Sequence, residues 1–177
     1  MKKKLLTGVV YYYTGLHRGG APSGVIKKPM NTFIKSLLSG LAGAIALNVL
    51  HESVRQVVPE APRVDKLGKR GIVKITEAAN LPTPSGNALY ATAMAGDVLS
   101  NTLYYSLIGT ARPEAAWPLG GVLGALAGAG AVTLAEPLGL GDEPVRRTAA
   151  TAALTVTWYV VGGVTTAAMF RWLSRRS

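Results

Sequence analysis

Two sets of polar residues in apolar surroundings could carry chemistry in this chain. The first is Asn48, His51, Glu52 and Arg55, at the end of a long apolar segment. Their spacing of three, one and three residues places all four side chains on one face of a helix. A histidine beside a carboxylate can relay protons or bind a metal, and the amide could position a substrate or water. This face is therefore the first candidate site.

The second set is Asp97, Asn101 and Tyr104, which share one helix face within another apolar segment. A carboxylate at bilayer depth is unfavourable by a few kcal/mol, so an ionisable residue there indicates a functional site by default. If the two segments are antiparallel helices, a rise of about 1.5 Å per residue puts Asp97 within a turn or so of Asn48 in depth. We therefore predict that both sets form one polar pocket.

Two interpretations of this pocket stay open. In the first, the protein is not an enzyme: the His-Glu-Arg set is an ion-pair cluster, and Asp97 and Asn101 brace the bundle through hydrogen bonds. Its role would be structural, regulatory or small-solute-conducting, and this is the interpretation we favour. In the second, the same residues serve a membrane-embedded enzyme or a proton-coupled carrier. The second stays open because an asparagine or serine would brace the bundle at a lower insertion cost than Asp97.

Several familiar chemistries are excluded. The His-Glu-x-x-His zinc motif needs a second histidine where this chain has Arg55, and two histidines in all do not make a multi-histidine metal site. The glycine-rich stretch before Pro144 lacks the Gly-Lys-Ser/Thr ending of a phosphate loop. No cysteine is present. We expect no metal and no cofactor.

Long uncharged segments indicate a membrane protein. Of 177 residues, 49% are hydrophobic, and the charges are confined to a few blocks. About 20 apolar residues cross a hydrocarbon core. The segments of that length predict four spans, at about residues 32–50, 87–109, 115–135 and 148–170. Short connections predict that spans two, three and four are sequential antiparallel neighbours.

A basic segment at residues 62–80 has apolar residues on one face and cations on the rest. The pattern favours an amphipathic helix in the membrane interface, or equally a linker helix packed on the bundle. In the first case the cations contact anionic lipid headgroups; they are Arg63, Lys66, Lys69, Arg70 and Lys74. The net charge of +10 then reflects lipid contact, and we expect no nucleic-acid partner.

Small residues form a stripe along the third span, where Gly120, Gly124 and Gly128 are four residues apart. Such a stripe lets a second helix approach closely. The second helix lies either within the bundle, where Gly163 and Ala167 could supply the groove, or in another subunit, which would make a homo-oligomer.

The two ends of the chain are basic. Residues 1–31 predict a disordered tail, or an extension ahead of a true start at Met30, and residues 174–177 a short tail. Eleven Lys and Arg on the side of the termini against eight on the other predict cytoplasmic termini. A start at Met30 would invert that orientation. The sequence thus predicts an all-α, multi-pass protein of a membrane, most simply the bacterial inner membrane.

Overall fold

The computed structural model describes residues 30–176, and these residues form helices and no strand. The predicted all-α class is confirmed. The elements are α1 (Thr32–Val54), α2 (Val64–Ala78), α3 (Gly86–Ser106), α4 (Ala116–Leu134), α5 (Glu143–Arg146) and α6 (Ala149–Arg175), with 3₁₀ turns at Leu107–Thr110 and Pro113–Ala115. The predicted N-terminal tail lies almost entirely outside the described residues. α6 extends into the segment predicted as a C-terminal tail.

Three of the described helices are long and apolar enough to cross a membrane. They are Thr32–Val54, Pro113–Leu134 and Ala149–Arg175, with mean hydropathies of 1.7, 1.5 and 1.4. These correspond to the predicted first, third and fourth spans. α3 is 21 residues long but does not reach the same hydropathy, because Asp97, Asn101 and two tyrosines lie in its middle and second half.

The helix ends follow from local chemistry. Asn31 caps α1, its side chain accepting a hydrogen bond from the Phe33 amide at 2.9 Å, and Thr148 caps α6 in the same way through the Thr151 amide at 3.0 Å. α2 ends at Ala78, and two residues later Asn80 has a φ of 53°, in the left-handed region that asparagine tolerates better than most residues. Pro82 and Pro84 then keep the chain out of the helix until α3 begins.

α1 packs against both α3 and α6, and α4 packs mainly against α6. Glycines on two faces of α1 permit this: the Cα of Gly40 lies against the Thr102 carbonyl of α3, and that of Gly43 lies against Gly162 and Thr166 of α6. The prediction that spans two and three are neighbours is not confirmed, because α3 and α4 touch little despite their short connection. A hydrogen bond from Tyr104 of α3 to the Leu123 carbonyl is one contact between them.

The buried core is formed mainly by α1, α3 and α6, around Leu47, Tyr105, Trp158 and Phe170. Other large apolar side chains lie on the outside of the long helices. Leu99 of α3, for example, is 61% exposed, and similar residues are exposed on α1, α4 and α6. Apolar surface on this scale is unusual for a monomer in water and is suited to contact with lipid tails.

The glycine stripe of α4 faces α6 of the same chain. A Cβ added to Gly124 would lie 2.6 Å from the Cα of Val160 and 2.7 Å from the Tyr159 carbonyl oxygen. Gly120 meets Gly163, and Gly128 meets Val156, in the same way. The two backbones therefore approach as closely as small residues allow.

Candidate functional site

A hydrogen bond joins the two predicted polar sets. The side-chain nitrogen of Asn48 in α1 donates to a carboxylate oxygen of Asp97 in α3 at 2.8 Å. The same nitrogen also donates to the Ala44 carbonyl of its own helix at 3.0 Å. Asn48 is thereby held in one orientation, and it presents a fixed donor to the carboxylate.

A small cavity lies beside this contact, between α1, α2 and α3. Its volume is about 20 Å³, which is enough for one water-sized molecule. Its lining combines polar residues from the three helices with apolar ones: Asn48, His51, Glu52, Val64, Asp65, Gly68, Tyr90, Ala93, Met94 and Asp97. Four of the predicted residues, from both apolar segments, thus meet around one space: Asn48, His51, Glu52 and Asp97. We call this space the junction cavity.

His51 is the most buried polar residue of the junction cavity, with 5% of its surface exposed. Its ring packs edge-on against Trp158 of α6, with 4.8 Å between the ring centroids, and more distantly against Tyr159. Among the described residues, neither ring nitrogen has a hydrogen-bond partner. Buried polar atoms of this kind are rare in native proteins, and each requires a physical explanation.

An ion-pair network closes the side of the junction cavity formed by α2. Arg55 lies 2.6 Å from Glu52 and 3.2 Å from Asp65. Asp65 also lies 3.1 Å from Arg63 and 3.9 Å from Lys69. Only 4% of the Asp65 side chain is exposed. Arg55, predicted as a member of the α1 face, therefore joins the end of α1 to the beginning of α2.

The charges around Asp65 decide its protonation. Burial alone would raise the pKa of this carboxyl, but the hydrogen bond from Arg63 and the charges of Arg63, Arg55 and Lys69 outweigh burial and lower the pKa below its ordinary value. The same contact raises the pKa of Arg63. Asp65 is therefore the anion on which the three cations converge.

Asn101 and Tyr104 share the Asp97 face of α3 but do not line the junction cavity. Asn101 is buried and donates to the main-chain oxygen of Asp97 at 3.0 Å. The Tyr104 hydroxyl donates to the Leu123 carbonyl of α4 at 2.8 Å. Asn101 thus supports the residue that carries the carboxylate, whereas Tyr104 links α3 to α4.

Three basic residues of α2 have partners within the chain. Arg70 donates to the Leu140 carbonyl at 2.8 Å, and Lys74 donates to the Leu138 carbonyl at 2.5 Å. Lys69 lies 5.0 Å from the centre of the Tyr90 ring, a cation–π contact. These contacts attach α2 to α3 and to the loop before α5. Contact of these cations with lipid headgroups remains a prediction.

Sequence reasoning missed Asp65, Tyr90 and Met94 as members of the site. A signal for Asp65 was present: it is an acidic residue in the first turn of a strongly basic helix, and a buried anion would gather those cations. Tyr90 and Met94 precede Asp97 by seven and three residues, which is helical spacing for one face. In residues 30–176, no group of three His, Cys, Asp or Glu side chains could hold a metal ion.

Comparison of the chain with protein-family models, with curated proteins and with solved structures found no match. The fold and the junction cavity therefore carry the functional proposal.

Proposed function

We propose that the chain is a multi-pass integral membrane protein with four spans in an antiparallel bundle, α3 being the additional span. Twenty-one residues at about 1.5 Å each reach across a hydrocarbon core of about 30 Å. The apolar side chains Leu99 and Leu103 are exposed on α3, while Asn101 is buried and Asp97 bonds to α1. A polar helix of this kind inserts when its polar face is covered by a neighbour.

The direction of α3 is supported by contacts at both of its ends. Near its beginning, Tyr90 lines the junction cavity together with His51, which lies near the end of α1. Near its end, Ser106 lies against Gly40 in the first half of α1. Helices that meet in this order are antiparallel.

We infer that the role of the protein is non-enzymatic, and that the polar cluster between α1 and α3 holds α3 in the bundle. The observation that carries this proposal is the 2.8 Å hydrogen bond between Asn48 and Asp97. Such a bond between membrane helices contributes about 0.6–1.7 kcal/mol. A structural or regulatory membrane protein, or one that handles a solute the size of water, fits this arrangement.

Two substitutions at Asp97 test this role. Asp97→Asn keeps a side-chain oxygen that can accept from Asn48, so we expect it to accumulate in membranes and to unfold in detergent like the wild type. Asp97→Leu removes the acceptor, so we expect earlier unfolding of α3, measured by protease cleavage of the α2–α3 connection in lipid. Thr92→Leu, at an exposed position of α3, controls for added apolarity. Equal protection of all four proteins would overturn the proposed role.

A second candidate function is a proton-coupled carrier or membrane-embedded enzyme that uses Asp97 with the face of Asn48, His51, Glu52 and Arg55. The ring nitrogens of His51, a residue beside the junction cavity, have no hydrogen-bond partner within residues 30–176. This favours the second function, because an imidazole is suited to accept and release a proton. Purified protein in vesicles containing a pH-sensitive dye would decide the matter. This function predicts a proton flux that Asp97→Asn abolishes while the protein stays folded; wild-type vesicles no leakier than empty ones would exclude the carrier.

We propose two partners. Anionic headgroups would contact α2, since Lys66 is partly exposed and Arg70 and Lys74 are exposed on a helix outside the spans, and the inner membrane of a bacterium supplies such lipids. A second copy of the chain would pack on the outer face of α4, where Val122 and Leu126 are exposed. The glycine stripe is covered by α6 and would not form that contact.

A further inference from the structure

One end of the bundle carries cations that have no anionic partner among the described residues. Arg171 of α6 donates to the Pro113 carbonyl at 2.8 Å, and Gly109 lies against Ser36 of α1. The start of α1, the turn between α3 and α4 and the end of α6 therefore lie together, and we call this region the basic end. Its described charges are five cations and one carboxylate: Lys35, Arg112, Arg171, Arg175, Arg176 and Glu114.

The positive charge of the basic end is not used within residues 30–176. Every ion pair formed in that part of the chain lies at the opposite end, among α2, α5 and the residues next to them. Five cations against one carboxylate leave a surplus of positive charge. This surplus is available to an anion outside the chain.

An open hollow on the outer face of α6 leads toward these cations. Its lining is mostly apolar and consists of Thr165, Ala168, Met169 and Trp172, and its volume is about 430 Å³. Arg176 follows Trp172 by four residues, so it continues the same face of α6. From Thr165 to Arg176 the helix rises about 16 Å, close to half of a hydrocarbon core of about 30 Å. The face therefore spans the depth of one leaflet, with its apolar part at one end and its cation at the other.

Trp172 and Arg176 have the chemistry of a membrane surface. The guanidinium of Arg176 lies 4.0 Å from the centre of the Trp172 ring, and both side chains are exposed. Tryptophan is enriched where the hydrocarbon core meets the headgroups. A guanidinium stacked on a ring keeps N–H groups at its edge, and these can bind two phosphate oxygens at once. Stacking also restricts the long side chain, which lowers the entropy lost when an anion binds.

We propose that this face of α6 binds one phospholipid whose headgroup has a net negative charge. Arg176 contacts the phosphate, Trp172 lies beside it at the membrane surface, and an acyl chain lies in the hollow. A zwitterionic lipid is disfavoured, because its own cation meets the surplus positive charge of the basic end. The lipid site rests on the proposed function in that the chain spans a membrane, and it lies at the end of the bundle opposite α2.

Trp172 itself can report the bound lipid. In a Trp117→Phe parent protein two tryptophans remain, Trp172 at 45% exposure and Trp158 at 5%. The parent is placed in vesicles of equal parts phosphatidylglycerol and phosphatidylcholine, and one lipid or the other carries bromine on its acyl chains, which quenches an indole that it touches. We expect stronger quenching by brominated phosphatidylglycerol. The expected preference is about five-fold, the factor that one cation near an anionic headgroup supplies.

Two arginines provide a matched pair of charge variants. Both are exposed at the basic end, but Arg176 is stacked on Trp172, whereas Arg112 belongs to the turn between α3 and α4. We expect Arg176→Gln to reduce the preference nearly to parity and Arg112→Gln to leave most of it. An equal loss in the two variants would indicate diffuse attraction by surface charge and would overturn the site.

Two exposed alanines of α6 test the hollow. Ala168 lines the hollow, and Ala153 lies in the other half of the helix. We expect Ala168→Leu to fill the hollow and lower the preference, and Ala153→Leu to leave it unchanged; equal behaviour of the two would contradict the proposal. Soluble glycerol phosphate should not compete, because it has no chain for the hollow. Full competition would assign the cations to a soluble phosphate instead of a lipid.

Failure of the lipid site is distinguishable from failure of the proposed function. Equal quenching by the two brominated lipids in the parent protein would overturn the lipid site and leave the membrane spans in place. Absence of quenching by either lipid would contradict the spans, and the lipid site with them.

Discussion

The two main helix pairs are held together in different ways. α4 and α6 meet through Gly120, Gly124 and Gly128, with backbone against backbone and no polar side chain required at the glycines. α1 and α3 are equally close where Gly40 meets Thr102, but toward the other end they separate around the junction cavity and are joined by Asn48 and Asp97.

This difference shows where the chain can accommodate a ligand. Small residues at an interface exclude solvent and fix one geometry, because any added atom would meet backbone. Polar side chains at an interface leave space between the helices, and some of their donors and acceptors stay without hydrogen-bond partners. The ring nitrogens of His51 are an example among the described residues. We therefore expect substitutions at the glycines between α4 and α6 to affect stability alone. Substitutions at the polar residues between α1 and α3 should affect stability less and the junction cavity more.

The largest effect is expected at the centre of the glycine-lined pair. Gly124→Ala would place a methyl group 2.6 Å from the Cα of Val160, so one of the two helices must move. Overpacking of this kind costs about 1–3 kcal/mol, and more where backbone is the obstacle. We expect a loss of about 3 kcal/mol in the free energy of unfolding, measured by detergent titration in mixed micelles.

Gly121→Ala is the matched control on the same helix. A Cβ at Gly121 would meet nothing within 4 Å, and the two substitutions are chemically identical. We expect a change within about 0.5 kcal/mol, as for other surface positions. If both variants unfolded alike, close packing would not be what joins α4 to α6, and the contrast between the two helix pairs would fail.

The sequence was sufficient for features that depend on periodicity and distance along one helix. The common face of Asn48, His51 and Glu52, and the depth of Asp97 relative to it, follow from 3.6 residues per turn and a fixed rise. The face of α4 that packs against another helix follows from the spacing of its glycines. The all-helical class follows from the length of the uncharged segments.

Features that depend on which helices are neighbours could not be read in this way. The contact of His51 with Trp158 joins residues more than a hundred positions apart, and no local pattern encodes it. The close approach of α1 to both α3 and α6 depends on Gly40 and Gly43, which lie on different faces of α1. Asp65 was missed because the α2 segment was interpreted from its basic residues. The burial of Asp65 depends on contact with α1, which the sequence of α2 does not reveal.

A smaller effect is expected next to the polar pair, at Asp65 of α2. Its lowered pKa lies below the value of about 3.9 for an unfolded chain. A depressed pKa in the folded state contributes stability that is present above the unfolded pKa and is lost as the pH falls through the folded pKa. Asp65→Asn should therefore lower the free energy of unfolding at pH 7 by about 1–3 kcal/mol and flatten its decline below about pH 4.

The control is Asp142→Asn in the loop before α5. Asp142 lies 3.6 Å from Arg146, and both side chains are well exposed, so the expected loss is below about 1 kcal/mol. The measurement is the detergent-unfolding midpoint from pH 7 to pH 3. An Asp65→Asn protein with the same acid profile as the wild type would show that the network around Arg55 does not stabilise the junction of α1 and α2.

The smallest effects are expected where the two helix pairs are joined to each other. Tyr105 is fully buried and donates to the Tyr159 carbonyl of α6 at 2.8 Å; Tyr104 is partly exposed and donates to Leu123 of α4 at the same distance. Each Tyr→Phe change removes one hydroxyl and nothing else.

Hydrogen bonds between membrane helices average about 0.6 kcal/mol, with a maximum near 1.7. We expect Tyr105→Phe to fall near the upper value and Tyr104→Phe near the average, both read from unfolding midpoints. The reverse order would mean that α3 is joined to the glycine-lined pair through α4, and that the two pairs are less separate than their packing indicates.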